Sequence, residues 1–300
     1  GGNFQYGQTT STVKFMDMNG DGLPDHIAQV AGSESAQIKY NQLGKVGLLK
    51  EVVIPQGGVY EIEYESSGNT VDQPQHKYVM KKVTQKVRED WVNSKGINKY
   101  ATEYDYELGQ YNRKEMEFYG YTKVTSRSID ENGRVIGNTK ETNYSTTFYD
   151  SADNGNSGYY KKGMVESERQ YDEDNKLIEE INYTIDSYPY ARILSEEITE
   201  YDSKNDEKIT IKTEYTDFDK WGNIKSYEER ADGKETIKVE IEYAHDESKY
   251  IHANPQEIKV YDGDNLIRKR QGVYNNYGEL EELISYISEE NTTSKKFRYD

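Results

Sequence analysis

Phe218-Asp219-Lys220-Trp221-Gly222-Asn223-Ile224 is a frame that this chain writes repeatedly. An aromatic or aliphatic residue is followed by Asp or Asn, then by two residues of almost any kind, then by Gly or Asn. An aliphatic residue follows two positions later. The same frame runs from Ile129-Asp130 through Gly133 to Val135, and from Tyr171-Asp172 through Asn175 to Leu177. It recurs from Tyr261-Asp262 through Asn265 to Ile267, and from Tyr274-Asn275 through Gly278 to Leu280. Tyr201-Asp202-Ser203-Lys204-Asn205 begins it and departs, and Arg298-Tyr299-Asp300 begins another copy. Internal repeats decide a fold before single residues do. Asp with Gly three residues on is type I turn chemistry: the carboxylate accepts backbone N–H groups, and Gly or Asn tolerates the left-handed conformation. A type I turn followed by such a residue closes a β-hairpin with a bulge. The aromatic before the turn and the aliphatic after it then pack across the two strands. Each copy therefore predicts a strand, a tight turn and a strand.

Composition narrows the class. The chain has 300 residues, which suits one or two domains. Leu, Ile, Val and Phe make up roughly 18% of the chain, a level near that of disordered sequences, and the formal net charge of -17 points the same way. Against this stand 29 Tyr, each with a large ring and a polar end, in a background of strand-forming Thr and Ile. The expectation is an ordered, Tyr-stabilised β protein with two polar sheet faces. A phosphate-binding surface needs a basic patch, and none exceeds Lys81-Lys82, so nucleic acid is not an expected partner. The same acidity disfavours anionic membrane surfaces. No apolar run approaches the length of a membrane span. Zero Cys removes disulfides, thiol catalysis and Cys-ligated zinc. Gly1-Gly2 reads as a trimmed start, which leaves export open.

A second motif lies at Asp17-Met18-Asn19-Gly20-Asp21-Gly22-Leu23-Pro24-Asp25. Oxygen-bearing side chains fall at its positions 1, 3, 5 and 9, with Gly at position 6, which is how a Ca²⁺ loop begins. Asp17, Asn19, Asp21 and Asp25 are the candidate side-chain ligands, with Leu23 between them as a backbone position. An EF-hand needs a bidentate Glu where Ala28 stands, and the flanks Val13-Lys14-Phe15 and His26-Ile27 read as strands. The loop instead resembles that of integrin-type propeller blades (FG-GAP or VCBS repeats). The plain alternative is a hairpin turn that binds nothing; three carboxylates in nine residues favour a cation.

Further along, Leu48-Leu49-Lys50-Glu51-Val52, then Pro55-Gln56-Gly57-Gly58, lead into the alternating Tyr60-Glu61-Ile62-Glu63-Tyr64, a hairpin. Ser66 to Gln75 reads as an exposed loop. Val79, Val83, Val87 and Trp91 are spaced for a helix, but β-branching favours a long strand paired with Tyr100 to Tyr106. Arg113 and Phe118 sit in a Tyr…Arg-x-x-x-x-Phe-x-Gly segment, and Ser157-Gly158-Tyr159-Tyr160 comes later. From Glu166 on, stretches such as Lys208 to Tyr215 and Ile237 to Tyr243 alternate, apolar on one face and Lys or Glu on the other.

This order of a propeller-like end, a Leu-Leu-Lys-x-Val…Gly-Gly strand pair, the Arg113–Phe118 segment and YD repeats resembles toxin-complex B-subunit and SpvB-like proteins of the YD (RHS) class. The resemblance covers nearly the whole chain. It implies an all-β fold in which antiparallel YD hairpins form part of a spiralling RHS-type shell, preceded by the end of an FG-GAP/VCBS-like propeller. The matching division is 1–44 for the propeller segment, 45–125 for a linking β region and 126–300 for the repeat array. The implied partners are other shell and propeller segments and an encapsulated toxin polypeptide. The implied setting is secreted or cell-surface, or cytoplasmic storage before release.

Catalytic signatures are missing. His26, His76, His245 and His252 are scattered, and there is no HExxH, Gly-x-Ser-x-Gly or P-loop. Acidic residues are so frequent that no pair stands out for glycoside hydrolysis. The sequence therefore predicts a non-enzymatic segment of a shell that encapsulates and delivers a toxin. The alternative is a surface or secreted module that binds carbohydrate or a partner cell, for which the Tyr rows would be stacking surfaces.

Overall fold

A computed structural model describes residues 12–55, 58–86, 99–146, 160–186, 191–202, 207–288 and 291–299. They form nineteen strands and no α-helix. The chain divides into two compact units, Gly1–Thr139 and Lys140–Asp300.

In the first unit, β1 (Thr12–Met16), β2 (Asp25–Gln29) and β3 (Gln37–Lys39) make a three-stranded antiparallel meander. Phe15 stands opposite His26, and His26 opposite Lys39. Next come β4 (Glu51–Val53), β5 (Val59–Ser67), β6 (Lys77–Lys86), β7 (Lys99–Asn112) and β8 (Glu117–Ile129), hydrogen-bonded in chain order. The Val79–Val87 ambiguity resolves as a strand as far as Lys86, and it pairs with Tyr100 to Glu103 as expected. Trp91 and Ser157 to Tyr159 lie outside the described residues.

The β7–β8 hairpin is the best-buried part of this unit. Ala101, Tyr119 and Ile129 are buried, and Asn112 Nδ2 donates to the Tyr119 hydroxyl at 3.0 Å. Tyr106 and Phe118 pack on Tyr121 with ring centroids 4.9 and 5.3 Å away. The segment expected to be an exposed loop, Ser66 to Gln75, begins as the end of β5 and is exposed from Asn69 to Asp72 and at Pro74 and Gln75, while backbone contacts and a buried Gln73 tie it to this hairpin. Tyr111 N–H donates to Asp72 O, Arg113 Nη2 donates to Val71 O, and Gln73 is only 3% exposed. Gln73 is the exception to the exposure: its Nε2 donates to the Tyr121 hydroxyl, its Oε1 accepts from the Ser67 hydroxyl, and its backbone N–H donates to Thr70 Oγ1.

The strand β9 (Val135–Tyr144) straddles the division between the units. In the second unit follow β10 (Val165–Tyr171), β11 (Leu177–Asp186), β12 (Arg192–Tyr201), β13 (Lys208–Phe218) and β14 (Ile224–Ala231). After them come β15 (Ile237–Asp246), β16 (Ile251–Asp262), β17 (Asn265–Tyr274), β18 (Leu280–Tyr286) and β19 (Thr292–Lys296). Each strand from β10 to β19 pairs antiparallel with its chain neighbours.

The repeated frame makes the turns. In four copies the Asp or Asn N–H bonds to the carbonyl four residues on, and the N–H three residues on returns to its own carbonyl. These are Asp130, Asp172, Asp219 and Asn275, with the first bond at 2.9 Å in each. The fourth residue has positive φ every time: Gly133 at 79°, Asn175 at 62°, Gly222 at 89° and Gly278 at 82°. The predicted cross-strand pairs are present as Tyr171↔Leu177, Phe218↔Ile224 and Tyr274↔Leu280, each beside a register shift. The copy at Tyr261-Asp262 departs from this. Asp262 pairs directly with Asn265, so the loop is Gly263-Asp264 and Gly263 takes the positive φ of 55°. Gly in the first loop position suits a two-residue primed turn, which closes before the four-residue frame can form. The partial copy at Tyr201-Asp202 continues outside the described residues.

The two faces of the second unit's sheet are unequal, where two polar faces were expected. One carries rows such as Ile181–Ile198–Ile211 and Tyr215–Tyr227–Val239–Val260. The other carries ion pairs: Arg169 with Glu180, Lys238 with Glu240, and Glu257 with both Lys259 and Lys269. Val239 is the buried apolar side chain of this unit among the described residues.

Glu257 is the best-enclosed carboxylate of that face. The ammonium groups of Lys259 and Lys269 hold its carboxyl down to about 2, against burial, with Gln271 Nε2 also donating. Its folded value lies below its unfolded one, so it stabilises the fold above pH 4.5 and loses that contribution as pH falls from 4.5 to about 2. In urea unfolding at a series of pH values, Glu257→Gln should cost about 1–2 kcal/mol at pH 7 after allowing for solvent screening. The difference from wild type should shrink to nothing across that acid window.

Candidate functional site

Two places gather polar and aromatic side chains. The first is the Asp17–Asp25 loop. Asp17 Oδ1 accepts the N–H groups of Gly20 and Asp21, and its Oδ2 accepts that of Gly22 at 2.8 Å. Burial raises the Asp17 carboxyl, but these bonds outweigh it and hold the group below its ordinary value. Asp21 Oδ1 accepts from Leu23 N–H at 2.8 Å, and Asn19 and Asp21 exchange two further bonds. Asp25 is fully buried, and its two oxygens accept Met18 N–H and Asn41 N–H, both at 2.8 Å. The structure thus brings Asp17, Asn19, Asp21 and Leu23 into one loop and sets Asp25 to a separate task, tying the base of β2 to the chain after β3. Asn69 Nδ2 donates to Gly20 O, and the His76 ring lies where a side chain at Gly22 would be. Among the described residues no three His, Cys, Asp or Glu side chains converge as a metal site.

The second place is the turn at Asp219. Asp219 Oδ1 accepts Trp221 N–H and Asn223 N–H at 2.9 Å each, and Oδ2 accepts Asn223 Nδ2 at 2.8 Å. Asp130, Asp172 and Asn275 repeat the pair of N–H contacts. Burial raises the Asp219 carboxyl; the Asn223 side chain, the two N–H groups and His245 outweigh it and lower it. Trp221 then collects two imidazoles: His252 stacks at 4.4 Å and 14°, and His245 packs at 4.1 Å. Lys220 Nζ lies 4.1 Å from the same ring and 2.5 Å from Glu247 Oε1. His252 Nδ1 is buried without a hydrogen-bond partner. Sequence reading treated these histidines as scattered. The signal was their seven-residue separation across the β15–β16 connection, which faces the Trp221 turn only once the register is known.

This arrangement braces the turn against the next connection of the sheet. Residues 4–152 match the family model described as insecticide toxin TcdB middle/N-terminal region. The fold matches a crystal structure of TcdB2-TccC3 without its hypervariable C-terminal region, with a TM-score of 0.66, 10% identity, and coverage of 92% of this chain and 20% of that one. It also matches a Photorhabdus luminescens Tc holotoxin pore carrying a TccC3 mutation, with a TM-score of 0.65, 12% identity, and coverage of 92% and 19%. No curated relative matches the sequence. The all-β architecture is the fold of those toxin-complex structures. The chain is TcdB-like, its residues 4–152 being similar to the TcdB middle/N-terminal region. It spans about a fifth of the length of the solved chains it matches.

The turn acceptor can be tested at Asp219. Asp219→Ala removes the acceptor of two backbone N–H groups and should cost about 1–2 kcal/mol in urea unfolding. Asp219→Asn keeps a carbonyl oxygen, as Asn275 does in its own turn, and should lose less than half as much. Equal losses would contradict the cap.

Proposed function

We propose that this chain is a non-enzymatic wall segment of a larger secreted bacterial toxin-complex shell, which encloses and delivers a toxin polypeptide. The observation that carries the reading is the single-layer sheet of the second unit, in which each hairpin adds beside the last. Such a sheet grows by repetition and keeps both faces available, one lined by ion pairs and the other by Ile, Val and Tyr. A wall needs that property; a globular domain would cover the apolar face with a second layer. The TcdB2-TccC3 and holotoxin assemblies of similar fold support an association with other toxin-complex components. No helix among the described residues is long and apolar enough to cross a membrane. In this reading residues 1–44 close a propeller-like module, 45–125 link it to the wall, and 126–300 build the wall. Electron microscopy of the full-length protein should display a hollow particle. A solid domain or an open rod without a cavity would refute the shell.

The Asp17–Asp25 loop is proposed to take Ca²⁺ through the side chains of Asp17, Asn19 and Asp21 and the carbonyl of Leu23. Asp25 would act by position, since both its oxygens already hold backbone N–H groups. Terbium luminescence of the purified chain should rise on titration and be competed by Ca²⁺, and Asp21→Ala should abolish the signal. No response up to about 1 mM would leave the loop as a self-braced turn.

A further inference from the structure

Three connections of the second unit meet at one end of its sheet. They are the Asp219–Asn223 turn, the 3-10 turn Glu247–Lys249 with Tyr250, and the Asn275–Glu279 turn. Lys220 reaches Glu247, Asn223 Nδ2 donates to His252 O at 2.6 Å, and Asn254 Nδ2 donates to Gly278 O at 3.0 Å. The connections therefore form one polar, aromatic-rich rim.

Two tyrosines stand out from this rim. Tyr250 is 88% exposed and Tyr277 is 84% exposed. Tyr250 also has a left-handed backbone, with φ 57° and ψ 33°. That conformation favours Gly or Asn and is costly for a bulky side chain. Asn175 fills such a position in another turn of the same sheet. The fold at residue 250 asks only for a small residue, and the ring it carries touches nothing that would repay the strain. Residues held this way cluster at functional sites. The backbone of Tyr277, by contrast, is fixed: its N–H donates to Asn275 Oδ1 at 2.9 Å.

Beside Tyr277 lies an open cleft of ≈ 670 Å³, lined by Lys249, Ile251, Asn276 and Tyr277, and Tyr250 follows Lys249 and precedes Ile251 in the chain. Its size is that of a small-ligand site. Its chemistry is specific: the aromatic face of Tyr277, the Asn276 amide as donor and acceptor, and the Lys249 ammonium, 3.3 Å from Asp246 Oδ2. A sugar ring presents an apolar C–H face to stack on an aromatic ring and a rim of hydroxyls to pair with amides and carboxylates. The neighbouring Asp246, Glu247 and Glu279 and the net charge of -17 disfavour anionic ligands. An apolar ligand would need an enclosed cavity, and this cleft is open.

We propose that this cleft binds a short neutral oligosaccharide, stacked on Tyr277, hydrogen-bonded by Asn276 and extended along the strand start onto the exposed ring of Tyr250. The 300-residue chain would be tested by saturation-transfer NMR and calorimetry against maltotetraose, cellotetraose and N-acetylchitotetraose, and on an array of neutral and sialylated glycans. The expected result is binding of at least one neutral oligosaccharide with Kd of about 1 mM or tighter. Tyr277→Ala and Tyr250→Ala should each weaken it at least about tenfold, with unchanged thermal unfolding. Tyr250→Asn should weaken binding equally while holding or raising the unfolding midpoint, because it suits the left-handed backbone. No binding of any neutral glycan would overturn the proposal. So would affinities untouched by both substitutions, a preference for sialylated glycans, or a lower midpoint in Tyr250→Asn.

Discussion

The structure depends on one small interaction repeated: a side-chain oxygen of Asp or Asn accepting two backbone N–H groups within its own turn. At Asp219 the acceptors bond Trp221 and Asn223 N–H; at Asp130, Asp172 and Asn275 the same spacing holds. The bond closes the turn at a fixed length. With the length fixed, the aromatic residue before the turn meets the aliphatic residue after it, and the register of both strands follows. A slip of one residue would send the Ile and Val rows to the charged face, so a turn of two N–H contacts fixes the chemistry of two surfaces.

That dependence suits a protein with little interior. Among the described residues only Ala101, Tyr119, Ile129 and Val239 are buried apolar side chains. Stability therefore rests on ladder hydrogen bonds and on cross-strand pairs rather than on a packed centre. The ion pairs on the charged face are mostly half-exposed, and individually such pairs contribute little. Glu257, gripped by two lysines and Gln271, is the exception, and it sits where two adjacent strands, β16 and β17, share one carboxylate.

Much of this was legible because it is local. An Asp, a Gly three residues on and flanking apolar residues report a turn wherever they occur, and four of the five complete copies adopt it. The fifth, at Asp262, shows the limit: Gly263 allowed a shorter closure that the spacing alone does not reveal. Contacts that reach beyond a single hairpin were not legible. The segment around Gln73 is exposed as its polarity suggests, but Gln73 itself is buried through a bond to Tyr121 nearly fifty residues away. His245 and His252 converge on Trp221 only through the pairing of β13 to β16. The Asp17–Asp25 loop read as a ligand cage because its oxygens are regularly spaced. The carboxylates turned out to hold the backbone as well, which spacing cannot disclose.

The strict neighbour-to-neighbour pairing of the second unit has a kinetic side. Every strand from β10 to β19 finds its partner within one hairpin, so each closure spans few residues and costs little loop entropy. The sheet can assemble from the N-terminal end as the polypeptide emerges, each new hairpin templated on the last. It can also come apart in reverse, one strand at a time, under a pulling force applied at a free edge. A structure zipped this way is easy to build and to breach from an end, while remaining resistant across its middle.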